Sequence, residues 1–282
     1  MRKLLLLPLA FCFSCKQSVE NTVTVPQHDH VVATIADEPE ATEKEEVYIT
    51  YEADTANLSP EPDTPLKLML EGSFHKQEVW QHAEKKPWLA VYDENGRFYL
   101  RPASFKVQPV YDPVTDSENE VNGKRIISGR EVIGQSENTV FYLTGLTKYK
   151  EGELDTVSFS QSVIPANKEL KFTFKGKPFS IKAYGDSTKL HDEAYRYHNY
   201  SWKVTGTKHG KRLEQTLAEN EQFDESIYTL LWAGDLDRDG TPDLLIDVSN
   251  HYNISTIVLF LSSMAEKNKL YKKVAVFETI GC

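Results

Sequence analysis

Cysteine is nearly absent from this chain: Cys12, Cys15 and Cys282 are the only three in 282 residues. Two of them fall within the first fifteen positions, so the bulk of the sequence holds neither a disulfide framework nor a cysteine-rich zinc site. Long apolar runs are missing too. Past Phe13 no stretch approaches the roughly 20 apolar residues that a membrane-spanning helix needs. Basic charge is in short supply, with 32 Lys and Arg against 42 Asp and Glu and a formal net charge of −10. A chain so poor in basic clusters cannot neutralise a phosphate backbone, and nucleic acid is not an expected partner. Catalytic signatures are absent as well, including G-x-S-x-G, H-E-x-x-H, the P-loop and G-x-G-x-x-G.

What the chain does contain is a dense acidic loop. Asp235-Leu236-Asp237-Arg238-Asp239-Gly240-Thr241-Pro242-Asp243 places four carboxylates in nine residues. Negative charges that close repel one another unless a cation sits among them. The spacing is that of a calcium loop, with oxygen ligands at positions 1, 3 and 5, a backbone carbonyl at 7 and a carboxylate at 9. Gly240 stands where the chain must turn sharply, with a positive φ expected. An EF-hand is excluded, because its bidentate Glu at position 12 would fall on Ile246 and the flanking segments are strand-like.

With Leu230-Leu231-Trp232 before the loop, Leu244-Leu245-Ile246 after it and the run Ile257 to Leu261 beyond, residues 229–262 resemble the calcium-binding hairpin of FG-GAP (integrin-propeller-like) repeats. By position, Asp235, Asp237, Asp239, the Thr241 carbonyl and Asp243 match that family's ligands, so the resemblance implies bound Ca2+. The Phe-Gly dipeptide of the family is missing, and the motif occurs once where a propeller would need several copies. A single hairpin set in another fold is therefore expected.

The N-terminus carries the compartment signal. Arg2-Lys3 is followed by the apolar run Leu4 to Phe13, too short to remain as a spanning helix. Ser14-Cys15 then resembles the lipobox of bacterial lipoproteins, although Cys12 stands where Leu or Val is usual. The resemblance implies a signal peptide over residues 1–14 and diacylation of Cys15, with Lys16 rather than Asp next to it, as suits sorting to the outer membrane. A lipid-anchored protein of the bacterial cell envelope is expected, attached to the membrane through its lipid alone. Cys282 would be left as the single thiol.

Residues 15–64 read as a disordered acidic tether. From Lys16 to Thr64 there are two basic residues against twelve acidic ones, with Pro26, Pro39, Pro60 and Pro62 among them, and no sustained periodicity. His28-Asp29-His30 within it reads as solvated rather than as a metal site. Residues 65–282 carry 28 basic and 30 acidic side chains, so nearly all the net charge sits in the tether.

The body reads as mainly β. Trp88 to Tyr92 and Arg97 to Leu100 flank Asp93-Glu94-Asn95-Gly96, a hairpin signal. Leu170, Phe172 and Phe174 alternate up to a turn near Gly176, and Phe179, Ile181 and Ala183 alternate after it. A short helix over Ser73 to Glu84 is the best helical candidate, with Ser73 as its cap. Polar breaks at residues 112–124 and 147–155 divide the body into β modules over 65–146 and 147–282, the second carrying the calcium hairpin. One continuous β-sandwich is the competing arrangement.

No residue is expected to be catalytic. His251 near Asp247 has the parts of an acid–base pair, but Asn250, His251 and Asn253 are residues that tolerate turns, and a turn is the expected reading. Tyr195, Tyr197 and Trp202 would make an aromatic stripe on a strand, able to stack on sugars but more often packed in a core. These readings lead to a non-enzymatic envelope protein used for binding, adhesion or envelope structure, with an envelope protein or a glycan as the kind of partner. An envelope hydrolase with structural calcium and a carbohydrate-binding module are the competing readings.

Overall fold

The computed structural model describes residues 62–116, 127–191 and 194–281; the signal segment, Cys15, nearly all of the acidic tether and Cys282 lie outside the described residues. The fold is mainly β, as the alternating runs require. In chain order come β1 (Lys67–Met69), β2 (Gly72–Phe74), β3 (Trp88–Glu94), β4 (Arg97–Ala103), β5 (Phe105–Val110), β6 (Gly129–Gly134), β7 (Thr139–Thr144) and β8 (Gly152–Glu153). They are followed by β9 (Glu169–Phe174), β10 (Lys177–His191), β11 (Ala194–Lys208), β12 (Lys211–Gln222), β13 (Thr229–Gly234), β14 (Asp243–Asp247), β15 (Ile254–Leu261) and β16 (Lys272–Ile280).

All strand pairings between these elements are antiparallel. Four sheets result, with orders β1-β7-β3-β4-β8, β2-β6-β5, β12-β11-β10-β9 and β13-β14-β15-β16. The hairpin expected at Asn95-Gly96 forms between β3 and β4. Both residues are left-handed, at φ 59° and 82°, and the Gly96 amide donates to Asp93 Oδ1 at 2.6 Å.

The β13–β16 sheet explains why Leu244-Leu245-Ile246 and Ile257-Val258-Leu259-Phe260-Leu261 read as unbroken apolar runs. Successive side chains on a strand point to opposite faces, so such a run needs a core on each side. One core gathers Trp232, Leu245, Ile257, Leu259, Leu261 and Phe277 against Leu68, Trp88, Phe141 and their neighbours from the N-terminal sheets. The other gathers Leu230, Leu244, Ile246, Val258 and Phe260 against Ile181, Tyr200, Trp202 and Val204 of the β9–β12 sheet. A register shift between Leu230 and Trp232 leaves Leu231 exposed and sends its neighbours into different cores. The sheet that carries the acidic hairpin is thus the wall between both cores. The segments before and after residues 147–155 share the first of them.

The helix expected over Ser73–Glu84 does not form. Gly72–Phe74 is a strand, and only two single-turn 3-10 segments follow, Lys76–Glu78 and Ala83–Lys85. Phe74, Val79 and Trp80 nevertheless pack against the first core. What holds this stretch is tertiary: the Glu78 carboxylate accepts the His75 amide at 2.8 Å and the Ile280 amide at 2.6 Å, so it fastens the stretch to the last strand. The His75 ring meets the buried Asp112 carboxylate through Nδ1, and Asp112 Oδ1 in turn accepts the Val114 and Thr115 amides at 3.0 and 3.3 Å. Burial by itself would lower the His75 pKa, but Asp112, Glu78 and the Ile280 backbone outweigh it and raise it. Burial would likewise raise Asp112, and the hydrogen bonds from His75, Thr115 and Val114 hold it below the usual carboxylate range.

Candidate metal centre

β13 ends at Gly234 and β14 begins at Asp243, and the two face each other as the last registered pair. The eight residues between them form the acidic loop. Gly240 has φ 85°, the left-handed value expected for the sharp turn, and Arg238 is left-handed as well at 63°. On the far side of β13 the chain at Asp155–Val157 runs alongside: Asp235 donates its amide to the Asp155 carbonyl at 3.0 Å, and Val157 donates to Ala233 at 2.9 Å. The loop base is therefore fastened on two sides.

This frame gathers the first three carboxylates. One ligand oxygen from each of Asp235, Asp237 and Asp239 lies within 4.8 Å of the others. Asp235 is fully buried. Its Oδ2 accepts the Gly240 amide at 3.0 Å and the Lys175 ammonium at 2.8 Å, while its Oδ1 is buried with no hydrogen-bond partner among the described residues. Asp237 repeats the pattern, with Oδ2 accepting the Ser263 hydroxyl and Oδ1 buried and unpartnered. Asp239 lies nearer solvent; its Oδ1 accepts the Thr241 amide at 2.8 Å and its Oδ2 the Ser262 hydroxyl at 2.6 Å.

Asp243 stands apart from the triad. It is fully buried, and its two oxygens accept the Leu236 amide and the Ser262 amide, each at 2.9 Å. The carboxylate thereby ties the first turn of the loop to the residue that follows β15. Thr241 is buried as well. Burial raises the pKa of Asp243 well above the usual range, with Asp237 and Asp239 adding to the effect. Burial also raises Asp237; the Ser263 hydroxyl opposes this, and Asp239 and Asp235 reinforce it. The Tyr271 hydroxyl, which feels the charge of Asp243 and Asp239, is buried without a partner among the described residues.

Two buried carboxylate oxygens without donors are costly. The donor set around them is carboxylate and hydroxyl oxygen, with no nitrogen or sulfur ligand, which fits a hard divalent cation. The loop joins two strands, as its flanking apolar runs imply, and sequence reasoning missed its supports. Ser262 and Ser263 follow directly on the apolar run of β15, a position that offered a signal. Lys175 and Asp155 lie some 60 and 80 residues upstream, and nothing in the sequence joins them to the loop.

The other polar clusters are built differently from their sequence readings. His251 Nε2 lies 3.2 Å from Asp224 Oδ2, and Asp247 instead accepts the Ser249 amide at 2.9 Å. Trp202 and Tyr200 are fully buried and stack edge-on or tilted around Tyr228, while Tyr195 is 46% exposed. The aromatic series therefore crosses from surface to core along β11 and presents no continuous face. Among the described residues, no helix is long and apolar enough to cross a membrane. No protein-family model matches this chain, and neither the curated proteins nor the solved structures contain a match.

Proposed function

We propose that this chain is a lipid-anchored protein of the bacterial cell envelope in which Ca2+ bound by the Asp235–Asp243 loop stabilises a β fold used for binding, adhesion or envelope structure, not for catalysis. The observation that carries the metal reading is Asp235 Oδ1, an oxygen with no donor among the described residues, on a fully buried carboxylate that brings a ligand oxygen within 4.8 Å of those of Asp237 and Asp239. A cation supplies what that oxygen lacks. Asp235, Asp237 and Asp239 would hold the ion; the spacing also gives the Thr241 carbonyl and Asp243, but the Asp243 carboxylate serves the loop by accepting the Leu236 and Ser262 amides. The ion's chemistry there is electrostatic: it neutralises the triad. The position of the loop in the sheet between both cores makes its order matter to the whole fold.

Extracellular calcium modules bind with dissociation constants of about 0.1–1 mM. At roughly 1 mM free Ca2+ the mass-action gain is then about 0.4–1.4 kcal/mol, enough to raise the melting temperature by about 1–5 °C. Thermal melts with and without Ca2+ measure it. Asp237→Ala removes one of the unpartnered oxygens and abolishes the shift, while relieving repulsion in the metal-free form. A native melt unmoved by millimolar Ca2+ would reduce the loop to an acidic turn.

The anchor rests on Arg2-Lys3, the apolar run to Phe13 and Ser14-Cys15. Cys15→Ser moves the protein from the membrane to the soluble fraction, and intact mass of the native protein carries the added acyl chains. A native mass without lipid overturns the anchor and leaves the metal reading untouched.

A further inference from the structure

Lys175 is the cation that touches the acidic triad among the described residues. The backbone imposes its position. Lys175 and Gly176 make the two-residue turn between β9 and β10, with φ 46° and 76°, which is the turn that matches strand twist in a tight hairpin. From there the ammonium reaches 2.8 Å to Asp235 Oδ2 and 2.8 Å to Asp155 Oδ2. The other basic side chains around the loop are engaged with carbonyls. Arg238 donates through one terminal nitrogen to Lys150 O at 3.3 Å, with its Nε buried and unpartnered among the described residues; Lys177 donates to the Gly240 carbonyl at 3.5 Å, and Lys208 to the Ser262, Ala265 and Lys269 carbonyls at 2.9, 3.4 and 3.2 Å.

Asp235 therefore divides its carboxylate. Oδ2 is taken by Lys175 and the Gly240 amide, and the buried Oδ1 has no hydrogen-bond partner among the described residues. We infer that Lys175 is a built-in counter-cation that holds the loop in place without metal and, by sharing Asp235 with the ion, weakens Ca2+ binding so that the site responds to changes in millimolar calcium. The inference rests on the calcium reading of the loop. An ion on one oxygen and an ammonium on the other are on the order of 6 Å apart, and their repulsion weakens binding about tenfold at the dielectric of water and more in a buried site, where salt screens little. The same ammonium offsets the charge of a buried carboxylate when the ion is absent. One side chain thus acts in opposite directions on the metal-free and metal-bound states, which a purely structural residue would not do.

The test compares native protein, Lys175→Met and Lys175→Arg by calorimetric Ca2+ titration and by thermal melts in chelator. Methionine keeps the stem and removes the charge; arginine keeps the charge. Lys175→Met binds Ca2+ at least about tenfold more tightly than the native chain and melts lower in chelator, while Lys175→Arg stays close to native in both. Native protein that binds Ca2+ while Lys175→Met binds it equally or more weakly overturns the role of Lys175 alone. Native protein that binds no Ca2+ at millimolar concentration overturns the calcium reading as well.

Discussion

Leu244→Ala and Leu245→Ala each destabilise the protein by about 2–5 kcal/mol, and both move one and the same unfolding transition. The two leucines are neighbours on β14 and both are essentially fully buried, but their side chains enter different cores. Leu245 packs in the cluster with Trp232 and Phe141, and Leu244 in the cluster with Tyr200 and Trp202. Each truncation removes three heavy atoms from a close-packed site that relaxes only in part, which sets the size of the loss. Independent modules would melt separately, and each substitution would then lower only its own transition. Here the sheet that bears the leucines is a wall of both cores, so neither core can open and leave it intact. Calorimetry or denaturant unfolding of the native chain and both variants is decisive. Two resolved transitions, one moved by each variant, would contradict the shared sheet.

His75→Ala costs about 3–5 kcal/mol, toward the lower end because the Asp112 carboxylate keeps the Val114 and Thr115 amides. The loss arises less from the missing ring than from a buried carboxylate stripped of its counter-charge. The effect depends on pH in a defined direction. The folded state raises the His75 pKa, so the stabilisation by the imidazolium is complete below the ordinary histidine value and fades as pH rises through the raised one. Asp112 is depressed, so its share is present above the ordinary aspartate value and is lost as pH falls through the lowered one. The gap between native and His75→Ala is therefore widest in the mildly acidic range between those limits and narrows on either side. Melting temperatures of both proteins across pH 4–9 measure it; a gap independent of pH would show that the ring acts by packing alone.

Much of this protein is legible along the chain because its governing interactions are local. Alternation at Leu170, Phe172 and Phe174 and the turn residues Asn95-Gly96 specify strands and a hairpin through backbone sterics and a period of two, and both appear as read. The acidic loop is legible for the same reason: a ligand set spaced at alternate positions over nine residues, with Gly240 at the turn, is a local pattern. The stretch from Ser73 to Glu84 is not legible in this way, because its helical signal is weak and its conformation is decided by Asp112 and Ile280, which are distant in sequence.

The sequence by itself determined the β class, the acid loop and its four carboxylates. Only the tertiary structure decided that the continuous apolar runs of β14 and β15 line two cores at once, since a run of leucines carries no label for the face each one serves. It alone decided how the carboxylates divide their work. Asp243 spends its oxygens on the Leu236 and Ser262 amides, while Asp235 and Asp237 each keep one buried oxygen open. Residue type fixes how many lone pairs a carboxylate has. Which of them find donors depends on segments that meet only in the fold, here Lys175 from the β9–β10 turn and Ser262 and Ser263 from the end of β15.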